Sequence, residues 1–429
     1  MKARWMMAGA GMLLVAGGLP WGVGYVTEQQ WQQATAEVNS AQPFLQVTTQ
    51  AYQRGILGSE LSGTVRLLNP DTGESRQVAF QADVTHGVTG SLMDFQPTDG
   101  WSPEGADWFP EQEPALTLET RLWGTAVLEL AMPAMSMADA GSGESLTTSG
   151  GLARVEISDA GSSAELLVVW PALALSGPDR AVRVSDLRVE QTMSHLVGEV
   201  WTGSGKVLAE LLSVTPDQKP PVTLKGISVQ SHSEAVSQGE RLDSRVALAV
   251  DGLTLSDETY GPQRLTFALN GLDVAAWNDL AESLSAMQAG AAARASVARE
   301  GFDRQMAAMQ RMNTAVRELA AAGFSIGFPE LYLTTPEGAV TGSARISHPE
   351  LSEDQKAQML LVMQRLTGEM NLSLPLALAE EYPELRLQLA PLIKQGLLVQ
   401  EGDRLVLDAQ MKDLVVDVNG VEIPLPPVL

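Results

Sequence analysis

The sequence predicts an α+β fold dominated by β structure: a long curled antiparallel meander sheet with a helical hairpin and a C-terminal α/β closing segment, preceded by one N-terminal transmembrane helix. Three observations predict it. Apolar and polar residues alternate from about Phe44 to Leu272, the period of strands with one buried face. From Ala275 to Ala322 the apolar period lengthens to that of a helix. Ahead of both, no charged residue stands between Arg4 and Glu28.

Residues 1–26 are expected to be a signal anchor. As a helix, Trp5 to Val26 would reach about 33 Å against a hydrocarbon thickness of roughly 30 Å. Trp5 near one end, and Trp21 and Tyr25 near the other, suit the two membrane–water interfaces. A cleaved signal peptide is the rival, with "VAGGLPWG" as a poor cleavage site, but its apolar region ordinarily spans only about 7–15 residues. The length of the run and its aromatic far end favour the uncleaved anchor. Either way Lys2 and Arg4 hold the N-terminus in the cytoplasm and the rest is exported. In a bacterium of two membranes the expected location is therefore the inner membrane, single-pass, with the bulk of the chain in the periplasm.

Residues 27–43 follow as a short juxtamembrane helix, "TEQQWQQATAEVN", with Trp31 and Val38 on one face. The meander, 44–272, is read from stretches such as "LSGTVRLLN", "QVAFQADVTHG", "ALTLETRLWGTAVLELAM", "GKVLAELLSVT", "SRVALAVDGLTL" and "RLTFALNGLDV", each bounded by turn residues. Two interruptions read as surface loops: the acidic "DGWSPEGADWFPEQEP" and the Gly/Ser-rich "ADAGSGESLTTSGG". Residues 273–323 read as helical. There Phe302, Met306, Met309 and Val316 recur on one face, with Asn313 and Ala320 completing the stripe; Gly290 and Gly301 interrupt the run and Gly323 caps it. Such a stripe is more often core packing than an adaptable binding face, so the segment is expected to lie as a helical hairpin on the apolar face of the sheet. Residues 324–429 complete the sheet. They hold a hairpin turning at Pro336-Glu337-Gly338, a helix with a Ser352/Gln355 capping box, a helix closed by Gly396, and closing strands. The last of these, "DLVVDVNGVEIPL", alternates on both sides of Asn419-Gly420, a strong hairpin signal.

Composition removes several function classes. The formal charge is −24 although the first 26 residues contribute two positive charges, so the exported part repels phosphates and no basic run offers a nucleic-acid footprint. No cysteine is present, which excludes disulfides, thiolate metal sites and cysteine nucleophiles.

The motifs that suggest chemistry fail on context. Gly323-Phe324-Ser325-Ile326-Gly327 matches a nucleophile elbow, which needs a strand before the serine and a helix after it; here a helix ends and a strand begins. "TGSGK", Thr202 to Lys206, lacks the outer residues of a phosphate loop and reads as a hairpin turn. His86, His195, His232 and His348 have no helical i, i+4 partner and no metal-ligand spacing. His86 in "VTHG", at a strand end, is the most interesting of them. No carboxylate pair stands out, and Trp101, Trp108 and Phe109 read equally as a partner-binding tip or as cover for a sheet edge. No catalytic, cofactor or metal site is expected.

Several stretches together resemble the YdgA-like family of bacterial envelope proteins, a domain family of unknown function. They are "YQRGILGSE" at 52–60, "VTHG" at 84–87, "GEVWTGSGKVLAELL" at 198–212, "YGPQRLTFALNGLD" at 260–273, "LTTPEGAVTGSARI" at 333–346 and "GLLVQEGDRLVLDAQMKDLVVDVNGVEIPL" at 396–425. The acidic tryptophan loop and the Gly/Ser loop have no counterpart in it. The resemblance implies an inner-membrane-anchored periplasmic protein, with a homodimer as a further expectation, and carries over no catalytic residue.

The expected function is therefore a non-enzymatic periplasmic protein tethered to the inner membrane, binding lipid or another hydrophobic ligand in an apolar β-groove. Phe302, Met306, Met309 and Val316 are the candidate contacts. The alternative is a dimeric scaffold of the cell envelope, in which the apolar patch is a protein interface.

Overall fold

The computed structural model describes residues 22–40, 44–69, 74–102, 105–139, 141–198, 200–217, 220–256, 258–292, 300–356 and 364–426. The chain divides into two compact units, Met1–Thr192 and Met193–Leu429. Every described strand pairing is antiparallel, as the meander pattern predicts.

The first unit opens with helix α1, residues 22–40. Strands β1 (Leu45–Arg54), β2 (Gly58–Leu68), β3 (Ser75–His86), β4 (Gly90–Pro97), β5 (Ala115–Arg121) and β6 (Ala126–Met132) follow as a meander of neighbours. Next come β7 (Met135–Asp139), β8 (Glu144–Thr148), β9 (Gly151–Ser158), β10 (Ser163–Ser176) and β11 (Arg180–Val197), the last of which contains the boundary between the units. β1 and β4 were not singled out by the alternation. The described residues of the acidic tryptophan segment are irregular between β4 and β5, as expected. The Gly/Ser-rich segment is not a loop but the β7–β8 hairpin. β10 is long enough to pair with β9 through Ser163–Val169 and with β8 through Leu173–Ser176, and the Ser145–Ser176 hydroxyl pair at 2.7 Å fastens the outer end.

α1 runs through residue 26, where the anchor was expected to hand over to a separate helix. The physical reason is packing: Val23 and Thr27 are buried, and farther along Trp31 lies 5.7 Å from Phe95 and 6.3 Å from Phe80, ring centre to ring centre. Its indole N–H donates to Thr49 Oγ1 at 2.9 Å. Beneath it sits the core of this unit, Leu61, Phe80, Ala82, Val84, Met93 and Phe95. Residues 1–21, which hold most of the expected span, lie outside the described residues, and no helix among the described residues is long and apolar enough to cross a membrane.

The second unit holds β12 (Val200–Pro216), β13 (Val222–Val236), β14 (Arg241–Leu255), β15 (Glu258–Tyr260) and β16 (Gln263–Asp273). Helices α2 (Val274–Ala292) and α3 (Glu300–Ala322) come next, then β17 (Phe324–Thr335), β18 (Gly338–His348), the helical turn α4 (Glu353–Lys356) and β19 (Thr367–Pro375). α5 (Leu376–Glu381), α6 (Pro383–Lys394) and strands β20 (Val399–Glu401), β21 (Arg404–Lys412), β22 (Val415–Val418) and β23 (Val421–Pro424) close the chain. The strands pair in the order β12-β13-β14-β16-β17-β18-β19-β21-β22-β23, with β15 on β14 and β20 on β21.

The turn chemistry read from sequence is in place. Gly323 ends α3 at φ +85°, and Ser352 N–H donates to the Gln355 side chain at 3.0 Å as a capping box requires. Asn419-Gly420 forms the β22–β23 turn with both residues at positive φ. "TGSGK" is different: it lies inside β12, with Gly203 and Gly205 opposite Ser233 and Ser231. α2 and α3 pack chiefly on each other, and their described contacts with the sheet are confined to the ends adjoining β16 and β17. There Val274 and Leu319 meet Leu272 and Leu242, and Ala320 and Ala321 meet Phe324 and Leu351.

Candidate functional site: an open apolar sheet face and a buried histidine

Strand register decides what each face of the second unit presents. One row of opposed residues runs Val207, Val229, Leu248, Leu265, Leu331, Gly342, Leu372, Leu407 across eight strands. The row one residue along, on the other face, runs Leu208, Ser228, Ala249, Arg264, Tyr332, Thr341, Ser373, Val406. Because side chains alternate across a strand, one face is apolar throughout this row while the other is mostly polar. On the polar face Arg264 reaches Glu330 at 3.1 Å and lies 4.7 Å from the Tyr332 ring centre.

The apolar face is covered at two places. Near its first end Leu269 and Leu319 of α3 both pack against the cluster of Leu242, Leu272 and Val274, and near the other Leu372 and Leu407 join the cluster that Leu389 and Leu392 of α6 cover. Between them Val246, Leu248, Phe328, Leu333, Ile346 and Met370 keep between 36% and 47% of their surface exposed. Phe267 and Phe328 stack edge-on at 5.5 Å in the middle of this floor. Covering the six exposed side chains would gain about 1 kcal/mol each, since each is already half-buried. The first unit has a comparable face beyond its helix. Leu118, Leu128 and Val155 are opposed in β5, β6 and β9, and Leu128 is exposed.

Of the four side chains singled out on the helical stripe, Met309 and Val316 are exposed on α3, while the side chains of Phe302 and Met306 lie outside the described residues. The described buried residues of α3 are alanines: Ala315, Ala320 and Ala321. The sequence indicates an apolar β-groove but not which residues form its floor, because only register assembles them.

The second polar feature lies at one end of the α1-covered core. His86 closes β3 with 5% exposure, its Nε2 2.7 Å from Ser59 Oγ and its Nδ1 2.8 Å from Ser91 Oγ. Ser91 Oγ continues to Thr27 Oγ1 of α1 at 2.8 Å. Gly24 lets the helix come this close, since a Cβ there would lie 2.7 Å from His86 Nε2. Burial holds the imidazole below its ordinary value, and the Arg54 guanidinium lowers it further. Tyr52 beside it is pushed up by burial, opposed by the Ser59 hydroxyl. Both ring nitrogens are engaged, one as donor and one as acceptor in the neutral ring. Ser59 and Ser91 are themselves buried, so the cluster fastens a helix to a sheet rather than presenting a nucleophile. An open cleft of about 450 Å³ beside it is lined by Arg54, Glu60 and Asp83 among others.

The remaining histidines are engaged locally. His195 Nε2 is 2.9 Å from the Gly198 carbonyl, His348 Nδ1 is 2.8 Å from the Pro349 carbonyl, and exposed His232 lies 3.8 Å from Glu234. Ser325 lies in β17, hydrogen-bonded to Ser347 at 3.1 Å. Among the described residues no group of three or more His, Asp or Glu could hold a metal ion.

Comparison with known proteins gives a family. The profile of DUF945, described as a bacterial protein of unknown function, matches residues 1–426. The chain belongs to this family. No curated protein and no solved structure matches it. The family is bacterial and its description assigns no activity, so the apolar face and the His86 cluster must be read on their own chemistry.

Proposed function

We propose that this chain is a non-enzymatic protein of the bacterial envelope, tethered to the inner membrane with its bulk in the periplasm, that holds a lipid acyl chain or similar hydrophobic ligand on the apolar sheet face of the second unit. One observation carries the reading: a continuous apolar floor, from Leu248 through Phe267 to Ile346, left open between two helix-covered ends. Such a floor offers no charge to an alkyl chain and excludes water from it. The uncharged N-terminal run and the motif order resembling the YdgA-like family support the location, and an anchor within residues 5–21 would hold the chain at a membrane that supplies acyl chains.

A photoreactive fatty acid tests it directly. Irradiated with the full-length protein in detergent micelles, a diazirine-bearing fatty acid should label peptides from β14, β16, β17 and β18 and spare the polar face. Labelling spread evenly over the chain would overturn the proposal. Cross-links joining Leu248 regions of two copies, without lipid, would transfer the face to a dimeric scaffold.

A further inference from the structure

We infer that one end of the first unit is a membrane-docking surface, at which three hairpin turns enter the interfacial layer of the bilayer. In a meander alternate turns fall at the same end. The turns β1–β2, β3–β4 and β5–β6 therefore share one end, and their sequences are Gly55-Ile56-Leu57, Gly87-Val88-Thr89 and Leu122-Trp123-Gly124-Thr125. None holds a charge. Ile56, Leu57, Val88, Leu122 and Trp123 are 44–64% exposed, far more than turns of a soluble surface require. The fourth turn at this end, Asp159–Gly161 beside Gly124, brings one carboxylate.

Two independent facts commit the surface to lipid. The first is chain direction. α1 begins at this end, where Gly24 meets His86 and Thr27 meets Ser91, and reaches the opposite end of the sheet, where Asn39 binds Val47 through both N–H and C=O. The apolar run 5–21 thus joins the described structure at the end that carries the apolar turns. The second is polarity. Arg54, paired with Glu28 at 3.1 Å, lies 5.4 Å from the ring centre of Tyr25, itself 55% exposed; Arg121, paired with Glu119, lies 5.9 Å from that of Trp123. Aromatic rings beside guanidinium groups suit the headgroup layer, where each ring has one apolar and one wet side. The opposite end differs: its β4–β5 segment carries Asp99, Asp107, Glu111 and Glu113, which anionic headgroups repel. The inference rests on the anchored reading of residues 5–21; it does not require a ligand on the second unit.

The absence of cysteine makes the test clean. Full-length Leu57→Cys, Val88→Cys and Trp123→Cys, with Glu74→Cys and Glu111→Cys as controls, are labelled with an environment-sensitive fluorophore. They are then reconstituted into vesicles of phosphatidylethanolamine and phosphatidylglycerol. The first three labels should shift to the blue, brighten several-fold and be quenched by lipids bearing a nitroxide near the headgroup, while the controls stay water-exposed. Protein retained in the vesicles with all five labels in water would overturn the docking surface alone. Protein that does not remain with the vesicles would overturn the anchored reading as well. Labels that are buried but unquenched by lipid nitroxides would assign the turns to a protein interface and also refute the inference.

Discussion

Gly24→Ala should loosen α1 even though alanine is the better helix former. On an exposed helix the change gains about 1 kcal/mol. Here the new Cβ would lie 2.7, 3.0 and 3.1 Å from three atoms of the His86 ring. The ring is held from both sides by Ser59 and Ser91, at 2.7 and 2.8 Å, so it cannot retreat without releasing a buried hydroxyl. An unpaired buried hydroxyl costs about 1–3 kcal/mol. Set against the helix gain, the net loss should reach up to about 2 kcal/mol, which corresponds to up to about 30-fold faster hydrogen exchange of the α1 amides through local opening. The assay is exchange mass spectrometry on peptides covering residues 27–40 of the full-length protein. Gly22→Ala supplies the sign control: nothing lies within 4 Å of its Cβ, so only the helix gain applies and exchange should slow. Adding His86→Ala to Gly24→Ala should cancel much of the clash. Slower exchange in Gly24→Ala, as in Gly22→Ala, would refute the account of how the helix is fastened.

Acid should loosen the same helix. Because the folded-state pKa of His86 is lowered, neutral imidazole favours the docked form; its contribution is complete above the ordinary histidine value of about 6.5 and is lost as pH falls through that value toward the folded one. Relative to the intrinsic amide rate, which itself falls with pH, exchange of α1 should therefore accelerate from about pH 7 to pH 5, and His86→Gln should flatten the dependence. Asn419→Ala should destabilise the second unit by about 2–4 kcal/mol, read as a lower melting temperature. Its side chain donates to the Leu397 and Val406 carbonyls at 3.0 Å and accepts from the Asp408 N–H at 3.1 Å, at a φ of +49°. Deleting residues 414–429 should make the full-length protein protease-sensitive in β21, whose edge β22 covers.

The sequence made local features legible and left distant ones hidden. Alternation marked most strands, Gly323 and Asn419-Gly420 marked their turns, and His86 stood out at a strand end, since each of these depends on neighbours within a few residues. The Gly/Ser-rich segment misled because its pairing partner, the far half of β10, lies some 30 residues away in the chain. "TGSGK" misled for the same reason, its strand character coming from β13 opposite. Around His86 only Ser91 is near in sequence; Ser59 is 27 residues away, and Thr27 is 64 residues from Ser91. The apolar floor depended wholly on register. A helix can be recognised by its own stripe, whereas a sheet face exists only once several strands are aligned, so the methionines of α3 stand out in the sequence and Leu248, Phe267 and Ile346 do not.

The most direct measurement is saturable binding of a fluorescent fatty acid to the full-length protein, compared with Phe267→Asp and Ile346→Asp. A charge placed on the floor is costly beside an alkyl chain, and Ile346, already 47% exposed, should accept an aspartate without loss of fold. Circular dichroism should match the parent for Ile346→Asp, and binding should weaken at least about tenfold in both variants, a difference of about 1.4 kcal/mol. Parent protein that binds no fatty acid, or an Ile346→Asp variant that binds as the parent does, would contradict the account.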